Sequence, residues 1–151
     1  MGNRAVVVWQ DENGDVKDNA IGVYLHWNGG RDSIEAFLAY CGICGFRNPS
    51  RDSYGLAAFV SVVTNFFGFA GSVGIGPVSE LDTDNGDNGV YVCNGWKIVD
   101  RIHTPEKEQD NYKLPAFVLA INEAQPQAVQ KPAAVLEKLV EDWLQDAREL
   151  D

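Results

Sequence analysis

Residues 5–9 read AVVVW and residues 21–27 read IGVYLHW, and these two stretches decide the fold. The first is a run of β-branched and aromatic residues, which is typical of a strand. In the second, the odd positions are apolar and point to one side, with Tyr24 and His26 on the other. Between them, Asn13-Gly14 is a dipeptide that favours a tight turn. We therefore predict an antiparallel hairpin.

A second hairpin is predicted further along the chain. Residues 90–93 (VYVC) and 96–102 (WKIVDRI) are strand-like and flank the turn dipeptide Asn94-Gly95. The glycine-rich residues 68–76 lack the spacing of a phosphate-binding loop, and they predict a turn that leads into a strand.

The helices follow from apolar spacing. Residues 56–67 are apolar on nearly every side, which indicates a central helix, and the absence of Lys and Arg from 52 to 96 supports its burial. Asp32 and Glu35 predict a capping box for an earlier helix that ends near residues 42–45. Two more helices are expected, over residues 114–124 and 132–149. The fold class is therefore α+β: one domain, residues 1–151, with a small antiparallel sheet of two hairpins packed on a central apolar helix.

The last helix has an apolar face that something must cover. Its members are Leu136, Leu139, Val140, Trp143, Ala147 and Leu150. The chain's own core is one cover. The other is a second copy, because the polar residues 125–131 before Pro132 are expected to act as a hinge and allow a homodimer through the C-terminal helix.

Charge excludes several classes of protein. The chain has 12 Lys and Arg against 22 Asp and Glu, a net charge of −10. Direct binding to nucleic acid or to a membrane surface is not expected, because both require clustered cations. Residues 1–10 lack the pattern of a signal peptide, so a cytoplasmic location is expected. The acidity serves solubility, or it engages a basic protein surface, including one that normally holds nucleic acid.

Three cysteines raise the question of a metal or redox site. Cys41 and Cys44 have C-x-x-C spacing, and Cys93 with His103 would complete four zinc ligands. No second C-x-x-C follows, and a thiolate at a helix end is disfavoured by the helix dipole. Buried, chemically inert cysteines are therefore expected, with no metal and no cofactor.

Two polar segments are candidate sites. Residues 80–87, the acidic loop, carry Asp82, Asp84 and Asp87, which suit either a surface turn or a cation site without EF-hand register. Residues 24–32 combine Tyr24, His26, Trp27 and Arg31 ahead of a predicted helix. These are typical of structure, of partner binding, or of general-base chemistry at the histidine.

Segments 24–30 (YLHWNGG), 53–55 (SYG) with 65–68 (NFFG), and 87–91 (DNGVY) resemble short acidic proteins encoded in phages and prophages. The resemblance covers residues 5–124. It implies an accessory role in interaction with a host or with a defence system, and it carries over no catalytic residue.

Three functions compete on this evidence. The first is a non-enzymatic accessory protein that binds a host or viral protein through Tyr24, His26, Trp27, Arg31, Asp82, Asp84 and Asp87. The second is a small enzyme that uses His26 with carboxylates of the acidic loop. The third is a metal-dependent structural module around the three cysteines. The first is the favoured interpretation.

Overall fold

A computed structural model describes residues 2–108 and 113–149, with side chains described through residue 146. Its strands are β1 (Ala5–Trp9), β2 (Ile21–Leu25), β3 (Val73–Pro77), β4 (Val90–Asn94) and β5 (Lys97–Ile102). Its helices are α1 (Arg31–Ile43), α2 (Ser53–Phe67), α3 (Leu114–Glu123) and α4 (Ala133–Glu149), and short 3-10 turns flank β3 at Ala70–Ser72 and Val78–Glu80. The α+β class is confirmed.

The strands form one sheet in the order β3-β2-β1-β4-β5. Both predicted hairpins are present as the antiparallel pairs β1–β2 and β4–β5. The expectation of a purely antiparallel sheet is wrong, because β1 and β4 pair in parallel and join the hairpins into one sheet. A parallel pair needs a long crossover, and α1 and α2 lie in the connection that supplies it.

The turns lie close to their predicted places. In the second hairpin Asn94 pairs with Lys97, so the turn residues are Gly95 and Trp96 rather than Asn94 and Gly95. Gly95 has a φ of 58°, a conformation that glycine adopts without strain. In the first hairpin the Gly14 N–H donates to the Asp11 carbonyl oxygen at 3.0 Å.

The two faces of the sheet have different covers. On one face, side chains of alternate strand residues join the main core with the helices; among them are Val7, Val23, Leu25 and Tyr91. On the other face a smaller cluster of Val6, Val8, Val90 and Val92 is covered by residues from the connecting segments 10–20 and 78–81. We call these the helix face and the open face.

The central helix is α1, and the prediction that it is α2 is wrong. Residues 32–41 of α1 are buried at every position except Glu35, whereas α2 fully buries only Gly55, Phe59, Val62 and Val63. α1 is buried because it contacts all three of the other helices. Its N-cap is Gly30, and the expected capping box is absent: Asp32 lies inside the first turn, where its Oδ1 accepts from the Ser33 N–H at 2.8 Å.

The described part of α4 packs on the chain's own core. Leu136 and Val140 are buried, and the Trp143 ring lies so close to Gly42 that a Cβ there would come within 2.2 Å of it. Val135 is the large apolar residue that α4 exposes within the described side chains. The side chain of Ala147, and Leu150, lie outside the described residues.

The segment expected to act as a hinge is fastened by hydrogen bonds. Gln125 is buried, and its Nε2 donates to the carbonyl oxygens of Val62 and Ile121 at 3.0 and 3.1 Å. Asn122 exchanges two hydrogen bonds with the Lys131 backbone. The polar residues here satisfy backbone groups between α3 and α4. None of the helices in the described ranges combines the length and apolar character needed to cross a bilayer.

Candidate functional site

Most of the predicted site residues lie at one end of the sheet, on its open face. β2 ends there and β1 and β4 begin there, and Val6 pairs with Tyr24 in the ladder. Alternation from Val6 and Tyr24 places Arg4 and His26 on the same face, one step beyond. The sheet therefore brings together residues from the end of β2, the residue that precedes β1, and the acidic loop.

Tyr24, His26 and Trp27 form a continuous aromatic group. The Tyr24 hydroxyl lies 2.9 Å from His26 Nδ1, and the His26 and Trp27 rings meet edge to face with centroids 5.1 Å apart. Partial burial raises the pKa of the Tyr24 phenol, so this hydroxyl stays protonated at neutral pH. Together with residues 71–74 these side chains line a shallow cavity of about 350 Å³, which we call the aromatic groove.

Arg4 connects this group to the acidic loop. Its Nε donates to Asp87 Oδ2 at 2.7 Å, its backbone N–H donates to the same oxygen at 3.0 Å, and its Nη1 lies 3.8 Å from Asp82 Oδ2. The hydrogen bond from Arg4 holds the pKa of the Asp87 carboxyl below its usual value. Sequence reasoning missed Arg4, because a single arginine 83 residues from its partner carries no local signal.

The acidic loop is built around a buried asparagine. Asn85 Oδ1 accepts from the N–H groups of Asp87 and Gly89, both at 3.0 Å, and its Nδ2 donates to the carbonyl oxygens of Asp82 and Gly89. This is the turn interpretation of the loop, in which Asn stabilises a tight bend through its own amide.

The loop carboxylates point to different partners. Asp82 and Asp87 face Arg4, whereas Asp84 Oδ1 lies 3.7 Å from His103 Nδ1. Within residues 2–108 and 113–149, no group of three or more His, Cys, Asp or Glu side chains is placed to hold a metal ion. The arrangement suits a fixed charged surface rather than a cation cage.

Arg31 lies apart from the other site residues. It is at the start of α1, which packs on the helix face, and its Nε donates to Glu35 Oε1 at 2.8 Å. Arg31 is close enough to Glu108 and Tyr91 for their charges to act on it. Both also contact Arg101, whose guanidinium lies 3.9 Å from the Tyr91 ring centroid and pairs with Glu108. Of the seven predicted site residues, Arg31 is therefore the one placed on the opposite side of the sheet.

The cysteines do not form a reactive centre. Cys41 and Cys93 are buried and Cys44 is half-buried, and burial raises the pKa of all three thiols. A thiol with a raised pKa is protonated at neutral pH and is a weak nucleophile.

The structure places the strand predicted after the glycine-rich turn, β3, at the edge of the sheet, a position that the sequence did not specify. It borders the aromatic groove, since Gly74 of β3 pairs with Tyr24. Large apolar side chains are exposed around it: Ile75 is 56% exposed, Trp27 45% and Phe69 78%. Ile75 pairs with Val23 and therefore points to the helix face, whereas Trp27 lines the groove. Exposed apolar residues on both sides of one sheet edge are typical of an interaction surface.

No protein family model matches the chain, and comparison with curated proteins and with solved structures found no match to either.

Proposed function

We propose that this protein is a non-enzymatic accessory protein that binds another protein through the open face at the aromatic-groove end of the sheet. The partner is a host or viral protein with a basic surface, of the kind that handles nucleic acid, and binding takes place in the cytoplasm. The observation that carries the proposal is Trp27, which is 45% exposed at the aromatic groove and packs on His26, beside Asp87 of the acidic loop.

The composition of this surface fits a protein interface. Tryptophan and tyrosine anchor protein–protein contacts, because each buries a large apolar area at a low cost in conformational entropy. Trp27 is held by the His26 ring and is still 45% exposed. A partner could bury the remaining surface without unfolding any element.

The charge around the surface favours a basic partner. Asp82 and Asp84 are exposed, and the net charge of the chain is −10. Complementary charges raise the association rate and select the partner, and the apolar contacts supply most of the affinity.

The enzyme hypothesis requires His26 to act with a loop carboxylate. Asp87 is close enough for its charge to act on His26, but the carboxylate is held by Arg4 at 2.7 Å. His26 Nδ1 in turn is occupied by the Tyr24 hydroxyl. These contacts fix the side chains as a surface, and partner binding is the function we propose.

The proposal is tested by affinity capture followed by measurement with the purified partner. The wild-type protein is immobilised, incubated with bacterial lysate at low and high salt, and retained proteins are identified and purified. We expect one partner whose binding weakens with salt and falls about tenfold or more in Trp27→Ala.

Tyr54→Ala is the matched control, because Tyr54 is also exposed but lies at the start of α2 against Arg47. It should leave binding unchanged. Equal loss in both variants, or a partner indifferent to Trp27→Ala, would contradict the proposed surface. A parallel activity screen in which His26→Ala abolishes a turnover would support the enzyme hypothesis instead.

A further inference from the structure

We infer that β3 accepts an extended, cationic segment of the protein partner as a sixth strand of the sheet. This inference rests on the proposed function, and it specifies how the partner binds and what chemistry its binding segment has. The hydrogen bonds of β3, its side chains and the charge around it all favour such an occupant.

Two hydrogen bonds fix which β3 residues face inward. At one end the His26 N–H donates to the Ser72 carbonyl oxygen at 3.0 Å, and at the other the Val78 N–H donates to the Ala20 carbonyl oxygen at 2.7 Å. Hydrogen-bonded pairs recur at every second residue of an antiparallel ladder, so Gly74 and Gly76 also bond to β2. The backbone groups of Val73, Ile75 and Pro77 therefore point away from the sheet.

The outward groups form an acceptor-rich edge. The Val73 N–H is already bonded to the Ala70 carbonyl oxygen, and Pro77 has no N–H. Pro77 is the N-cap of the 3-10 turn Val78–Glu80, so its carbonyl oxygen accepts the first hydrogen bond of that turn. Within the described part of the chain, this leaves the Ile75 N–H and the carbonyl oxygens of Val73 and Ile75 without a protein partner. An antiparallel strand centred on Ile75 would donate two N–H groups to this edge and accept one.

The side chains leave room for such a strand. Gly74 and Gly76 put no side chain on the open face, and a Cβ at Gly74 would meet only Tyr24, at 3.7 Å and beyond. Ile75 points to the other face and is 56% exposed. A partner strand would thus have an apolar neighbour on one face and a bare surface beside the aromatic groove on the other.

The charge selects a cationic occupant. No Lys, Arg or His occurs from residue 52 to residue 96, a range that includes β3 and the acidic loop. Beyond the carboxyl end of β3, the Ser79 N–H donates to the Asp18 carbonyl oxygen at 3.2 Å, and Glu80 is exposed. The adjoining residues 10–20 hold four acidic residues against Lys17 alone, and Lys17 lies 3.8 Å from Asp11. The surroundings of this end of the strand are therefore acidic on balance.

A second copy of the chain fits this edge poorly. Two β3 strands related by a two-fold axis at Ile75 would place Pro77 opposite Val73, so the Val73 carbonyl oxygen would meet no donor. That pairing forms only the two reciprocal hydrogen bonds at Ile75. Two copies of net charge −10 also repel each other. A basic segment of another protein satisfies all three free outward groups and the charge.

The test is an NMR titration of the wild-type protein with three capped synthetic peptides. The first is Lys-Val-Thr-Val-Thr-Val-Lys. The second has the same sequence with all five internal amides N-methylated, which keeps the charge and side chains but removes the donors. The third replaces both lysines with glutamate. Amide shifts and hydrogen exchange report where each peptide binds.

We expect the lysine peptide to shift the amide resonances of residues 73–76 and to slow exchange of the Ile75 N–H. It should bind about tenfold or more tightly than either control peptide. Equal binding of the N-methylated peptide, shifts confined to residues outside β3, or no binding of the lysine peptide would each overturn the inference.

Variants separate this inference from the proposed function. Ile75→Pro removes the outward N–H at a position where an edge strand tolerates proline, and Ile75→Thr is the matched control that keeps it. Circular dichroism confirms that both are folded. A partner that requires Trp27 but binds Ile75→Pro as well as wild type would leave the proposed function standing and overturn strand addition.

Discussion

The two edges of the sheet are built in opposite ways. β5, at one edge, carries Lys97, Asp100 and Arg101 and contains a bulge at Val99, where the register with β4 shifts. β3, at the other edge, has no charged residue and pairs with β2 in continuous register. Charges and bulges are the devices by which proteins prevent edge strands from pairing with other chains.

The β5 edge is further fixed by Arg101. Its side chain is buried over the Tyr91 ring, with Nη2 donating to the Asn88 carbonyl oxygen at 3.0 Å and Nη1 paired with Glu108. At the β5 edge, Arg101 is therefore fixed on the helix face, and the bulge at Val99 interrupts the regular backbone. β3 has neither a charge nor a bulge, and Pro77 at its end is the one such device it carries. An exposed apolar strand of this kind is prone to pair with another chain, and this contrast is why we assign β3 to a partner.

The largest expected effect comes from a change in the core that packs against the sheet. Phe59 is buried against Trp9, with ring centroids 4.9 Å apart. Phe59→Ala should lower the free energy of unfolding by about 3–5 kcal/mol, because the cavity lies between α2 and the sheet. Urea denaturation measures this. The half-buried Val60 gives the control, Val60→Ala, and equal losses in both variants would contradict the packing described.

A smaller effect is expected at the β5 edge. Arg101→Met removes the cation over Tyr91 and leaves Glu108 without its pair, at a cost of about 2 kcal/mol. Arg101→Lys retains the charge but not the planar fork, and it should recover only part of the loss. Denaturation curves that are the same for wild type and Arg101→Met would show that Arg101 does not stabilise the β5 edge.

A charged residue on β3 should prevent the strand from pairing with another chain, as the charged residues of β5 do at the other edge. In 1 M salt, where the net charge is screened, the wild type is expected to self-associate weakly through β3. Ile75→Lys should abolish this association, while Val99→Lys, with the same added charge on the β5 edge, should not. Light scattering at high concentration measures self-association in both variants. If Val99→Lys abolishes the association and Ile75→Lys does not, the comparison of the two edges is wrong.

The smallest effect concerns the ion pair between Arg4 and Asp87 of the acidic loop. The pKa of Asp87 is lowered in the folded protein, so the Arg4–Asp87 pair stabilises the fold above the unfolded pKa of about 4. That contribution is lost as the pH falls through the lower, folded pKa. The stability difference between wild type and Asp87→Asn should be constant from pH 7 to about pH 5 and shrink below about pH 4. A difference that grows on acidification would contradict the ion pair.

The hairpins and helices could be predicted because their signals are local. Alternation in residues 21–27 and the turn at Asn94-Gly95 depend on neighbouring residues, and the structure confirms both hairpins. The parallel pairing of Val6 with Val90 could not be predicted, since nothing local specifies a partner 84 residues away. β3 was expected only as an unspecified strand, because glycine at Gly74 and Gly76 removes the alternating pattern.

The central helix was misassigned because apolar content alone does not measure burial. α2 is the most apolar helix by sequence, but α1 is the more buried, since small residues such as Ala36, Ala39 and Gly42 allow close packing. The candidate site shows the same limit. Tyr24, His26 and Trp27 are neighbours in sequence and were found together, whereas Arg4 and the acidic loop meet only through the fold.

The most direct test of the open edge is residue-resolved hydrogen exchange across β3 in the protein without a partner. The Gly74 and Gly76 N–H groups bond to β2, and the Ile75 N–H points outward. We predict slow exchange at Gly74 and Gly76 and fast exchange at Ile75 between them. If the Ile75 amide is as protected as its two neighbours, the edge is already covered, and β3 is not the strand on which a partner adds.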